Sequence, residues 1–239
     1  MTRLNKYLAE CGVCSRREAD RLIGMGRVTV NNETARAGVQ VGEGDVVAVD
    51  GAALSPPSAR VVLAYNKPVG VTCTERDAHA ERTIIEELNY PQRLTYAGRL
   101  DKESDGLIIM TNDGELIQCM TKGKNRHEKE YIVTVREDIT EEFLAGMAGG
   151  VYLPELERAT RPCKVQGLGR NTFRIVLTQG LNRQIRRMCK VFGYEVETLT
   201  RVRVMNVVLG DLESGAYRVL RGEELETLYR MCGINGGGQ

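Results

Sequence analysis

Two consecutive prolines divide this chain. Pro56 and Pro57 stand in "ALSPPSA", residues 53–59, and a proline neither continues a helix interior nor donates to a sheet ladder. Small residues flank the pair, so the stretch reads as a linker, and the residues on its two sides must fold as separate units. The expected division is an N-terminal unit over 1–52, a linker over 53–59, a larger unit over 60–232 and a flexible tail, "GINGGGQ", over 233–239.

The N-terminal unit is legible by periodicity. In "RLNKYLAECG", Leu4, Tyr7, Leu8 and Cys11 fall at i, i+3, i+4 and i+7, the apolar stripe of a short helix that Gly12 is placed to end. Ser15 and Glu18 have capping-box spacing, so a second helix should start there and present Arg16 and Arg17 beside its free N–H groups. "RVTVNNETA" then reads as a strand and an Asn-Asn turn, and "GDVVAVDG" as a second strand. This compact module, marginal by itself at about 50 residues, resembles an S4 RNA-binding domain over residues 3–50. The resemblance implies an RNA-facing surface carrying Arg3, Lys6, Ser15, Arg16, Arg17 and Arg27.

Beyond the linker, strand signals dominate. "RVVLAYN", "GLIIMTN", "KEYIVTVRE", "TFRIVLTQG" and "TLTRVRVMNVVLG" read as strands, separated by helical stretches "RTIIEELN", "ITEEFLAGM" and "NRQIRRMCKVFG". The order is mixed instead of a regular βαβ alternation, which favours an α+β domain: a mixed, largely antiparallel sheet with flanking helices.

Composition narrows the function. At 239 residues with 42% hydrophobic content the chain can bury a real core. No run approaches the roughly 18 apolar residues of a membrane span, and "MTRLNKYLAECG" has no apolar h-region, so no membrane partner and a cytoplasmic location are expected. Seven scattered cysteines, an odd number, read as reduced thiols. Cys11 and Cys14 form a C-x-x-C, but no second pair occurs at zinc-finger spacing and the only histidines are His79 and His127, so no metal is expected. The net charge of +1 conceals segregation. Residues 158–203 carry eleven Lys or Arg against Glu195 and Glu197, a net +9, whereas residues 50–157 carry twelve basic and nineteen acidic residues, a net −7. An arginine-rich concentration of that kind favours a polyanion such as nucleic acid.

Three polar positions invite chemistry. Asp101, in "YAGRLDKESDGLIIMTNDGE", stands between Arg99 and Lys102 just ahead of an apolar strand. Its carboxylate could cap a turn, bind a metal or attack something. Asp101, Glu103, Asp105 and Gly106 imitate the start of an EF-hand loop, but Asn112 occupies the twelfth position and no helix leads in. Tyr131, in "HEKEYIVTV", shares by alternation the apolar face with Val133 and Val135, where a tyrosine is usually core. In "GLNRQIRRM", Ile185, Met188 and Cys189 should point inward, leaving Arg186 at a boundary where a guanidinium is buried only if paired.

"GRLDKESDGLIIMTNDGE", "KEYIVTV" and "QGLNRQIRRMCKVFGYEV", in this order behind an S4-like module, resemble the RsuA-type family of ribosomal RNA pseudouridine synthases, from residue 3 to about 230. "YNKPVG", "HEKEYIVTV", "RPCKV" and "RVRVMNV" are most similar to the 23S ribosomal RNA synthase F branch of that family. The resemblance implies that Asp101 is the essential aspartate, Tyr131 the ring against the target base, and Arg186 the partner of the aspartate. It also implies RNA contacts at Arg99, Asn182, Arg183 and Arg187. The implied reaction breaks the N1–C1′ bond of a uridine, turns the uracil and rejoins it through C5, with no cofactor. The expected partner is RNA, 23S ribosomal RNA first and transfer RNA or 16S ribosomal RNA as the alternative substrate; the alternative of another class is an RNA-binding ribosome-assembly factor without catalysis, and the chain is expected to act as a monomer.

Overall fold

The structure, a computed structural model, describes residues 1–74 and 82–234. His79 and residues 235–239 of the expected tail lie outside the described residues; Gly233 and Ile234 are inside them, and Ile234 packs against the core.

The N-terminal unit forms as its periodicity predicts. Helix α1 (Leu4–Glu10) buries Leu4 and Leu8, and α2 (Arg16–Gly24) buries Ala19, Leu22 and Ile23. Ser15 caps α2 by accepting from the Glu18 N–H at 3.3 Å, while the Glu18 carboxylate holds Arg21. Strands Val28–Val30 and Glu33–Thr34 are joined through Asn31 and Asn32, both at positive φ (51° and 68°), the primed turn that an Asn-Asn pair accommodates. Val47–Val49 pairs with Val28–Val30 and then with Ala52–Ala53. The Leu54 N–H donates to the Val47 carbonyl and its side chain joins the module's core, so this unit runs through Leu54, past the boundary expected at residue 52. The module has its own core, centred on Leu4, Leu8, Ala19 and Val28.

The larger unit is built on a nine-stranded mixed sheet. Its main path runs Lys164–Gly167, Thr172–Leu177, Lys129–Val135, Val196–Val204, Asp105–Thr111, Val62–Lys67 and Tyr217–Val219. Neighbours are antiparallel except Val196–Val204 beside Asp105–Thr111, which run parallel. At that junction Gly106 (φ +99°) lies so close to the next strand that a Cβ would stand 2.4 Å from the Arg201 carbonyl oxygen. Only glycine fits there.

Alternation along the central strands feeds two cores. Ala64, Leu107 and Ile109 face α4 (Gly114–Thr121) and α7 (Gly222–Met231) through Leu116, Met120, Leu228 and Tyr229. Leu63, Tyr65, Ile108 and Met110 face α3 (Ile84–Leu88), whose start is fixed by a full Thr83–Glu86 capping box. A third core joins Val133, Phe173 and Ile175 to α5 (Glu141–Gly149) and α6 (Gln184–Val191). Helices α4 and α7 are absent from the sequence expectation. The expected strand "TLTRVRVMNVVLG" is a hairpin, Val196–Val204 with Val207–Val208, turning at Met205 (φ 54°).

Candidate active site

A cleft of about 680 Å³ opens over the parallel junction of the sheet, within the range of sites that enclose a small ligand. It is lined by Asp101, Tyr131 and Arg186, three residues far apart in sequence, together with Lys129, Leu199 and Arg201.

Asp101 opens a tight turn into the Asp105–Thr111 strand. The turn is closed by its main-chain carbonyl, which accepts from the Ser104 N–H at 3.1 Å. Among the described residues the Asp101 carboxylate accepts no hydrogen bond and makes no ion pair, so its side chain does not cap the turn. The backbone around it is fixed instead. The Gly70 N–H donates to the Lys102 carbonyl at 2.8 Å, and the Leu100 N–H to the Cys73 thiol at 3.4 Å.

Helix α6 grips this turn from the far side of the cleft. Arg186 donates through Nη2 to the Glu103 carbonyl (3.1 Å) and the Ser104 hydroxyl (3.4 Å), and through Nη1 to the Val196 carbonyl (3.2 Å). Arg183, at the N-cap with φ 50°, pairs with Glu103 at 2.6 Å. Among the described residues no ion pair joins Arg186 to Asp101, the pairing that the family resemblance implies. The guanidinium is spent on the backbone that carries Asp101, while its Nε is buried without a partner. Ile185, Met188 and Cys189 are buried, as expected, and orient this helix.

Tyr131 sits at a register shift between Lys129–Val135 and Val196–Val204, facing Ile175 on one neighbouring strand and Arg201 on the other. Val133 and Val135 are fully buried, whereas Tyr131 is half-buried at the seam of two cores and opens on the cleft. Its ring is thus both core and wall.

Three cations were not singled out by sequence. Lys67 is fully buried, with Nζ donating to the carbonyls of Pro68 (2.7 Å) and Val71 (3.0 Å). Burial lowers its pKa, and the nearby Cys73, Asp105 and Asp101 oppose that shift. Arg201 is 2% exposed and donates to the Leu107 carbonyl at 2.6 Å and the Arg99 carbonyl at 3.4 Å, bracing the "GRLD" segment from beneath. Lys129 lines the cleft, and burial, with Arg201 adding to it, brings its pKa down to about 8. The only signal in the sequence was a basic residue two positions from an inward one: Arg201 after Leu199, Lys129 before Tyr131.

The basic segment behaves differently from its charge count. Glu128 and Glu130, on and beside the strand between two basic strands, pair with Lys164, Arg174 and Arg203; Arg170 pairs with Asp138, and Arg187 and Lys190 with Glu155. Strand pairing therefore folds much of the +9 segment onto acids of the −7 segment. The cations left facing the cleft are Arg99, Lys102, Lys122 and Arg126 with Lys129. Asn182 is exposed at the rim and accepts from Arg187 through its carbonyl and its side chain. In the N-terminal unit Arg3, Arg16 and Arg17 are exposed. Lys6 instead bonds Glu115 of the larger unit at 2.9 Å, Arg27 pairs with Asp50, and the Ser15 hydroxyl caps α2.

Comparison with known proteins agrees with this architecture. Residues 61–190 match the RNA pseudouridylate synthase family and residues 2–47 the S4 domain family. The chain belongs to the RNA pseudouridine synthases, of the RsuA type that carries an S4 domain. Two relatives, each named dual-specificity RNA pseudouridine synthase RluF, come from Salmonella typhi and Escherichia coli K12. Both are 49% identical, over 96% of this chain and 79% of theirs. The crystal structure of a pseudouridylate synthase superposes with a TM-score of 0.70 at 31% identity, covering 95% of this chain and all of that one. Among the described residues no helix is long and apolar enough to cross a membrane.

Proposed function

We propose that Asp101 is the carboxylate that acts on the sugar of the target uridine, Tyr131 the ring that holds the detached uracil, and Arg186 the group that positions the Asp101 turn. The observation that carries this reading is the contrast at Asp101: a backbone fixed by the Ser104, Gly70 and Leu100 amides around a carboxylate with no partner among the described residues. A nucleophile or base held in place at little further cost in ordering has that form.

Breaking the N1–C1′ bond leaves an electron-poor sugar, which a carboxylate can trap covalently or relieve of its 2′-proton. The uracil then turns against Tyr131, C5 bonds to C1′, and the C5 proton leaves, with the Tyr131 hydroxyl a candidate acceptor. The partnerless Arg186 Nε is the donor nearest in kind to a carboxylate, and the pair implied by family resemblance would form when RNA closes the cleft.

A uridine inside a helix reaches this cleft only by leaving its stack, at a cost of a few kcal/mol. Arg99, Lys102, Lys122, Arg126 and Lys129 at the cleft, and Arg3, Arg16 and Arg17 on the S4 module, are the phosphate contacts that offset it. Arg183, Asn182 and Arg187 join them at the rim, while Ser15 and Arg27 are bonded within the module and Lys6 ties it to the larger unit. The substrate is 23S ribosomal RNA, met in the cytoplasm by a single copy of the chain. A second RNA target is favoured by one observation, the dual-specificity name of the relatives that are 49% identical, and transfer RNA is the candidate proposed for it. Mapping pseudouridine in total RNA from a deletion strain tests the assignment. Sites lost from 23S ribosomal RNA, alone or with transfer RNA, are expected; loss confined to 16S ribosomal RNA would overturn it.

A further inference from the structure

Cys119, His127 and Cys232 lie scattered in sequence, the two cysteines 113 residues apart, yet the fold gathers them into one cluster whose His127 lines the cleft. Cys119 is on the last turn of α4, His127 just precedes the Lys129–Val135 strand, and Cys232 is the C-cap of α7. Their Sγ, Nε2 and Sγ atoms all lie within 4.8 Å of one another, and Cys119 Sγ is 3.3 Å from His127 Nε2. Tetrahedral zinc, with bonds of about 2.3 Å to sulfur and 2.0 Å to nitrogen, sets ligand atoms about 3.5–3.8 Å apart. The Cys119–His127 separation of 3.3 Å is near that spacing, and no pair in the cluster is more than 4.8 Å apart.

We propose that Cys119, His127 and Cys232 form a structural site for a borderline-soft divalent cation, Zn²⁺ or its surrogate Co²⁺. The ligand set of two thiolates and one imidazole suits such an ion and not Mg²⁺ or Ca²⁺, which take oxygen ligands. Asn125 borders the cluster, its side-chain nitrogen donating to the Cys119 carbonyl at 2.8 Å and standing 3.7 Å from the Cys119 sulfur; a water would complete four-coordination. Binding replaces the two thiol protons, which leave to solvent, and no redox partner is needed.

The consequence is mechanical. The segment between the first two ligands carries Lys122, Gly123 and Arg126, which line the cleft and are exposed, and the third ligand ties that segment to the C-terminal helix. A cation here braces the basic rim without entering the reaction. The thiol–imidazole contact alone bridges α4 and the rim only weakly.

The full chain, stripped of metal and kept in a thiol-free reductant, is titrated with Co²⁺. One equivalent per chain is expected, with the thiolate-to-cobalt charge-transfer band and tetrahedral d–d bands. Both should vanish in Cys119→Ser and in Cys232→Ser, and persist when Cys11 and Cys14 are both changed to Ser. His127→Ala should weaken binding by about tenfold or more. A second readout uses trypsin at Lys122, Lys124 and Arg126: Zn²⁺ should slow cleavage there by about tenfold in the wild type, through suppressed local opening, and leave the serine variants unprotected. Absence of stoichiometric Co²⁺, a band that survives both serine changes, or a Cys119–Cys232 disulfide that forms in the presence of Zn²⁺ would each overturn the proposal.

Discussion

Gly106 and Lys129 carry constraints that their neighbours in sequence do not reveal. Any side chain at Gly106 would meet the Arg201 main chain, and its positive φ adds backbone strain. Gly106→Ala is therefore expected to destabilise the protein by about 2 kcal/mol or more, through overpacking at a backbone that cannot retreat. Thermal melting checks this, and an unchanged Tm would mean that the parallel junction is looser than described. Lys129 has a pKa of about 8 in the folded chain because burial disfavours its charge, against about 10.4 when unfolded. Between those values the unfolded chain holds a proton that the folded one has released, so this group's penalty is full below about pH 8 and fades as pH rises toward 10.4. Lys129→Met should raise stability near neutral pH by about 1–3 kcal/mol. The wild type is also expected to lose RNA affinity as Lys129 discharges above about pH 8, a dependence that Lys129→Met should remove. Stability curves and RNA titrations across that range read both effects.

Local pattern marked Asp101, Tyr131 and Arg186 only as a carboxylate before an apolar strand, a tyrosine on a valine face and an arginine beside an inward isoleucine; the family resemblance implied their roles, and the fold brings the three to one cleft. Lys67 and Arg201 were not legible, because a basic residue within a strand carries no mark of the carbonyls that will receive it once the sheet is assembled. Nor does the sequence mark the bond from Arg186 to the main-chain carbonyl of Glu103, two residues beyond Asp101.

Helix α6 acts on the turn that carries Asp101 through main-chain bonds, so its arginines are not equivalent. The Arg183–Glu103 pair is exposed on both sides and should contribute under about 1 kcal/mol. Arg186 bridges the Val196 and Glu103 carbonyls with a fork that a lysine cannot reproduce. Arg186→Leu should lower kcat by about a hundredfold or more with RNA affinity changed far less, since misplacing a reacting group by an ångström costs that much. Arg186→Lys should fail to restore it. Equal losses in kcat and affinity would make Arg186 an RNA contact instead. Helices α1, α2, α3, α5 and α6 were readable from caps and apolar spacing. Helix α4, eight residues directly after a strand, and α7, whose buried residues begin only at Leu228, offered too little period to read. The Met205 turn hides because a methionine at positive φ has no turn signature.

Across the chain, the mixed sheet was readable from pattern alone, but the charge map was not. Residues 158–203 are basic in sequence; in the fold, Glu128, Glu130 and Glu155 meet them across strands and between elements. Pairing order is a property of topology, which a linear count does not contain. The two units keep separate cores, joined by the Lys6–Glu115 bond among other contacts. Deleting residues 1–54 should therefore leave a folded catalytic unit. It should raise KM for target RNA by about tenfold or more through lost effective concentration, weaken the salt dependence of binding, and largely preserve the single-turnover rate at saturating RNA. Unchanged affinity would remove the S4 module from substrate binding.

The assignment of Asp101 as the reacting carboxylate is open to one direct measurement. Target RNA labelled with tritium at uridine C5 releases the label only if the base is detached, turned and rejoined through that carbon. In single-turnover assays at saturating RNA the wild-type chain should release tritium stoichiometrically with the modified site. Asp101→Asn, nearly the same shape without the charge, should release none above background while binding the RNA within about threefold of wild type. Tritium release by Asp101→Asn at a rate near that of the wild type would show that another group attacks the sugar.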